Sequence, residues 1–182
     1  MTKQDAKDGA LRWMDEATIN GHAVAAAEQA DFRDRMDYLI GGVIAELGAQ
    51  FPLIGTVNRE SRGTVQMPAD CKRVLRVVRT ESGAPVDATV QAGVVTALPQ
   101  GAITIIYERY PGRPTPGAPD AVQLDCAPEA EPLVPLKLAA DVLLGTIDRM
   151  TTGAYLADRY HEMLRQLVAS RGGAPIATVY AG

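Results

Sequence analysis

Residues 102–111 read Ala-Ile-Thr-Ile-Ile-Tyr-Glu-Arg-Tyr-Pro, and this stretch decides the fold class. Ile103, Ile105 and Tyr107 alternate with Thr104 and Glu108, a period of two that suits a strand with one buried face, although Ile106 breaks it. Working back from here, β-branched residues and turn signals dominate as far as Thr64. The pattern predicts strands near 64–67, 73–80, 86–91, 93–98 and 102–110. Ser82-Gly83 and Pro99-Gln100-Gly101 read as turns, and the whole as an antiparallel meander.

On either side of this insertion the period is helical. Ala6, Ala10, Met14 and Ala17 recur at spacings of three and four, predicting a helix over 5–19 that stops at Asn20-Gly21. Phe32, Met36, Leu39, Ile40, Val43, Ile44 and Leu47 form one stripe of a second helix over 30–50, bounded by Pro52. Asp31 and Arg35 are spaced for an i,i+4 pair. Gly41-Gly42 inside this helix costs roughly 1 kcal/mol per glycine against Ala. Another backbone must therefore approach there, or the helix must bend.

After the strands, Pro111, Pro114, Pro116, Pro119 and Pro128 make residues 111–128 an irregular loop long enough to expect a contact function. Pro132 and Pro135 suit the first turn of a third helix, expected over 132–149 with a stripe of Leu133, Leu136, Ala140, Leu143, Leu144 and Ile147. Thr151-Thr152-Gly153 reads as a break and cap before a fourth helix over 153–170, lined by Tyr155, Tyr160, Met163, Leu164 and Leu167. Gly172-Gly173 ends it. The expected class is α+β. About four helices form a bundle, a small antiparallel sheet (64–110) is inserted between the second and third, and residues 1–170 make one domain. Residues 171–182 are an extended C-terminal tail with a short apolar run from Ile176 to Tyr180.

Composition narrows the function classes. Of 182 residues, 47% are hydrophobic and 22% charged, ordinary values for a folded chain, while aromatics are only 5%. The net charge of −4 and the pI of about 5.2 give no broad cationic surface for sequence-specific DNA binding. The polar N-terminus has no signal-peptide pattern, and no apolar run is long enough to span a bilayer. A cytoplasmic chain with Cys71 and Cys126 as free thiols is the expectation, with a Cys71–Cys126 disulfide as a minor alternative.

The order of elements resembles the adaptor, or head–tail connector, proteins of tailed bacteriophages. The similar residues are dispersed over roughly residues 1–170. They are Ala49-Gln50-Phe51-Pro52, then Met67-Pro68-Ala69-Asp70 leading into Val74-Leu75-Arg76-Val77-Val78, then Ile105-Ile106-Tyr107-Glu108-Arg109-Tyr110-Pro111. Pro128-Glu129, Leu138-Ala139-Ala140-Asp141 and Tyr160-His161-Glu162-Met163-Leu164 follow. The resemblance implies a ring, commonly a dodecamer, that is bound to the portal at the capsid vertex, extends the DNA channel and carries the next tail or neck protein. Such a protein belongs to the virion, is assembled in the bacterial host cytoplasm, passes DNA without sequence specificity and has no membrane partner. The resemblance also implies a tail that orders on the portal, here Arg171, Pro175, Ile176, Val179 and Tyr180.

The residues themselves offer few sites. Lys72, Arg73, Arg76 and Arg79 form a basic run on one strand. They fit contacts to a neighbouring subunit or to passing DNA, or else a solvated edge that resists strand pairing. Arg113 in the proline loop is assigned the same contact role. Trp13, Tyr110, Tyr155 and Tyr160 are candidate subunit contacts or core residues. His22 and His161 lack a nucleophile and an orienting partner. Asp31, Asp34, Asp37 and Glu46 with Arg33 and Arg35 suggest ion pairs rather than a metal site. Catalytic residues, cofactors and metals are therefore not expected. A different neck component, such as a head-completion or stopper protein, and a small enzyme using Cys71 or His161 are the alternatives.

Overall fold

A computed structural model describes residues 1–16, 26–96 and 98–171. The fold is α+β, and four helices and two small antiparallel sheets make it up. They form two compact units: a helical unit, Met1–Phe51 with the described chain from Pro111 onward, and a sheet unit, Pro52–Tyr110.

In the helical unit α1 spans Lys3–Glu16, α2 Ala26–Gln50, α3 Leu133–Leu144 and α4 Met150–Ser170. Thr2 and Asp5 start α1 by reciprocal capping. The Asp5 N–H donates to Thr2 Oγ1 at 3.1 Å, and the Thr2 N–H donates to Asp5 Oδ2 at 2.9 Å. Ala17, Asn20-Gly21 and His22 lie outside the described residues. The α2 stripe is buried at Phe32, Met36, Ile40, Val43, Ile44 and Leu47.

α3 is the hub of the unit. It packs against α1, α2 and α4, and nine of its residues are buried, among them Val134, Leu138, Ala139 and Val142 outside the expected stripe. A helix that is apolar all round is one that neighbours surround. The stripe does not continue past Leu143, because Leu144 and Ile147 are exposed. Gly145 ends α3, and Ile147–Arg149 form a 3-10 turn. Thr151-Thr152-Gly153 therefore does not break the chain but lies within α4. The glycine serves packing instead: a Cβ at Gly153 would sit 2.6 Å from the Leu144 nitrogen.

The proline-rich segment is strapped to this unit. The Lys3 N–H donates to the Val122 carbonyl at 2.9 Å, and the Leu124 N–H donates to that of Met1 at 3.0 Å. A Cβ at Gly41 would meet the Pro114 carbonyl at 3.2 Å, so a backbone does approach there. Gly42 faces open space, and Gly48 lies under the Pro111 ring.

In the sheet unit β1 is Leu53–Arg62, β2 Val65–Gln66, β3 Cys71–Arg79, β4 Thr89–Gln91, β5 Val94–Thr96 and β6 Gln100–Arg109. The strands do not form a meander. One sheet has the order β1-β6-β3 and the other β2-β5-β4. The expected boundary at residue 64 moves back to Leu53, because β1 pairs with β6 through ten residues, from Leu53↔Arg109 to Arg62↔Gln100. Gln100 and Gly101 open β6 rather than forming a turn. Ile103, Ile105 and Tyr107 point into a core with Val77, Val65, Met67, Val95 and Leu98. One face of the larger sheet thus shares this core with the smaller sheet.

Candidate functional site

The basic run of β3 lands on a buried carboxylate. Register places Arg73 opposite Glu108 and Arg76 opposite Ile106, on the outer face of the β1-β6-β3 sheet. The register shifts twice along β3, between Cys71 and Arg73 and between Val74 and Arg76, and such bulges re-aim side chains. They let two consecutive residues reach one target. Lys72 Nζ donates to Glu108 Oε1 at 2.6 Å and Arg73 Nε to Oε2 at 2.5 Å. Glu108 is only 2% exposed. Burial alone would raise its pKa, but Lys72 and Arg73 outweigh that and hold it below the ordinary 4.5. The cluster keeps one positive charge in excess, and Arg76 beside it is exposed.

The rest of this outer face is a polar row with apolar neighbours. Thr104 Oγ1 donates to Asn58 Oδ1 at 2.8 Å and lies 3.0 Å from Thr80 Oγ1, which links β6 to β1 and to the residue just past β3. Ile54, Ile106 and Val78 lie around it, half-buried or exposed. Arg79 falls on the other face, opposite Ile103. The run therefore divides: Lys72, Arg73 and Arg76 share one face, and Arg79 does not.

Other expected contact residues divide as well. Arg113 is exposed on the proline strap. Arg171 does not belong to a free tail. It caps α4, ion-pairs with Glu129 and lies over the Phe51 ring at 5.0 Å. Pro175, Ile176, Val179 and Tyr180 lie outside the described residues. Tyr160 is core, and its hydroxyl donates to Glu46 Oε1 at 2.8 Å. Burial and then Glu46 raise its pKa, so the phenol stays protonated. Trp13 lies under Arg159 at 4.9 Å, whereas Tyr110 and Tyr155 are exposed.

Sequence reading did not find two features. The first is the buried ionic cluster of Lys3 and Lys7 on α1 with Asp37 on α2 and Asp120 on the strap. Lys3 Nζ donates to Asp37 Oδ2 at 3.1 Å, and Lys7 Nζ to Asp120 Oδ1 at 2.8 Å. Lys7 also touches Asp37 Oδ1, as an ion pair without hydrogen-bond geometry. The sequence signal was the i,i+4 spacing of Lys3 and Lys7, on the same side of the helix as Ala6 and Ala10. The second is the exposed apolar corner of Ile147 and Met150. It was masked because Ile147 continues the heptad-like spacing of a buried stripe.

Both thiols are free and neither is activated. Burial, then Asp70, pushes Cys71 up from 9.0, and burial, then Glu131, pushes Cys126 up to about 11. A thiol that holds its proton is a poor nucleophile. His161 is exposed beside Tyr160. Among the described residues no three His, Cys, Asp or Glu side chains gather as a metal site requires, and no helix is long and apolar enough to cross a membrane. The sequence matches no protein-family model, and a comparison with curated proteins finds no match.

Proposed function

We propose that the protein is a virion structural subunit, a ring-forming adaptor that joins the portal at the capsid vertex to the tail and extends the DNA channel. The observation that carries this reading is the succession of elements. A helix pair, an inserted antiparallel sheet unit, a proline-rich strap and a second helix pair follow in the order of the adaptor family. The protein then acts by assembly rather than by bond chemistry, and two thiols that hold their protons weigh against the Cys/His enzyme.

A ring of such subunits, commonly a dodecamer, makes many repeated contacts that act together. An acidic chain of net charge −4 suits a channel through which DNA must slide without sticking. The tail residues Pro175, Ile176, Val179 and Tyr180 are proposed to dock on the portal. Native mass spectrometry of the purified chain, alone and with the cognate portal ring, tests the reading. A ring or a stoichiometric portal complex is expected. A monomer indifferent to the portal refutes it.

A further inference from the structure

We propose that residues 176–180, Ile-Ala-Thr-Val-Tyr, add to the free edge of β1 in the same chain, as a fourth and parallel strand of the β1-β6-β3 sheet. The inference goes beyond portal docking, because it says where this segment lies in a subunit that has not met a portal.

An edge strand presents unpaired N–H and C=O groups, and folded chains blunt such edges with shortness, charge or cover. Among the described residues three edges of the sheet unit are blunted in these ways. β2 and β4 are two and three residues long. β3 carries Lys72, Arg73, Arg76 and Arg79, and its end is already paired with the segment that follows it: the Val86 N–H donates to the Val77 carbonyl and the Arg79 N–H to that of Ala84, both at 2.9 Å. β1 is different. It is ten residues long, and among the described residues it pairs with β6 alone. Arg59, Glu60 and Arg62 guard its second half, but residues 53–58 carry no charge. Here Leu53 and Val57 are half-buried and Ile54 is 48% exposed.

The root, reach and composition of residues 172–182, outside the described chain, fit them to this edge. Arg171 lies over the Phe51 ring at 5.0 Å and ion-pairs with Glu129, and Phe51 stands two residues before Leu53. The chain beyond Arg171 therefore starts beside the root of β1. Gly172, Gly173, Ala174 and Pro175 can span up to about 14 Å, and a strand flanks its neighbour at about 4.8 Å. Residues 176–180 then cover about 17 Å of an uncharged edge about 20 Å long. Residues 172–182 contain no charged side chain, and Ile176, Thr178, Val179 and Tyr180 favour strands. Pro175 precedes the run, where the start of a strand tolerates proline. Both segments leave the same point, so they run parallel. Main-chain hydrogen bonds supply the affinity, and the tether makes the pairing intramolecular.

Amide hydrogen exchange tests this on the full chain and on a chain ending at Arg171. The N–H groups of residues 53–58 that point away from β6 should exchange about 10-fold faster in the shorter chain, while those of β6 stay the same. Thr178→Pro with Val179→Pro in the full chain should reproduce the faster exchange. Of two consecutive N–H groups in a strand one points at the neighbour, and proline has neither. Thr178→Ala with Val179→Ala should keep the protection, and Trp13 emission checks that every variant stays folded. Protection should be the same at every protein concentration. Equal exchange in the two chains, protection that survives both prolines, or protection that grows with concentration because a second copy supplies the strand overturns the proposal. None of these outcomes reads portal binding, so each leaves the adaptor reading standing. Protection that persists in a full chain indifferent to the portal does the reverse.

Discussion

Replacing Asp37 with alanine should be the most damaging single change in the helical unit's polar interior. Lys3 is 1% exposed, and Asp37 is the one carboxylate within hydrogen-bond reach of its ammonium, at 3.1 Å, since Asp120 lies at 3.8 Å. Removing one partner of a buried ion pair costs about 3–5 kcal/mol, because the other charge loses its counterion; the Ala118 carbonyl, which also accepts from Lys3 Nζ, is left as its hydrogen-bond partner. Asp120 remains 2.8 Å from Lys7 and is about half exposed, so water reaches that edge of the cluster. The expected loss is therefore near the lower bound, about 3 kcal/mol. Asp120→Ala leaves both lysines on Asp37 and should cost only about 1 kcal/mol. Urea unfolding followed by the single tryptophan, Trp13 on α1, reads the right unit. At an m-value of about 2 kcal/mol/M, Asp37→Ala should lower the midpoint by about 1.5 M. A loss under about 1 kcal/mol, or a larger loss for Asp120→Ala, would refute the argument that Lys3 depends on Asp37.

Three further outcomes follow. The pH dependence has a definite sign. Lysines and the Gly117 N–H outweigh burial and hold Asp37 below 3.8, so its stabilisation is present above that value and fades as pH falls through the depressed pKa. Asp120 and Asp37 outweigh burial and raise Lys7 above 10.5, so its share is present below that value and is lost as pH rises through the raised pKa; acid and alkaline unfolding curves of Asp37→Ala should both flatten against wild type. Gly42→Ala should stabilise by up to about 1 kcal/mol, since nothing lies within 4 Å. Gly48→Ala should instead cost about 1–3 kcal/mol, because its Cβ would sit 2.7 Å from Pro111 Cγ, and thermal melts of the pair would separate the two cases. Deleting residues 172–182 should leave circular dichroism and Trp13 emission unchanged while abolishing portal binding, and full binding by the truncated chain would remove the tail from the proposed mechanism.

Periodicity carried much of the class. The α2 stripe, the alternation of Ile103, Ile105 and Tyr107 and the prolines of residues 111–128 each state a local preference that needs no partner to be read. β1 was not legible for the opposite reason. Leu53–Arg62 contains Gly55, Asn58 and a polar end, and it becomes a strand because β6 offers ten paired positions. Gly55 itself is explained only by the ring of Tyr107, whose Cζ would lie 2.7 Å from a Cβ there. Close approach between distant segments has no local signature.

The same division holds at the surface. The sequence by itself established an α+β chain with a β insertion between helix pairs and a basic run at residues 72–79. Only the tertiary structure decided that two β-bulges turn Lys72 and Arg73 onto Glu108, that Arg76 and Arg79 face opposite ways, and that Arg171 lies on Phe51. It also decided that Ile147 is exposed while Lys3 is buried, reversing what their chemistry suggests. The physical reason is that hydropathy ranks residues by transfer free energy, whereas burial depends on which neighbours the chain brings together and whether they supply an opposite charge.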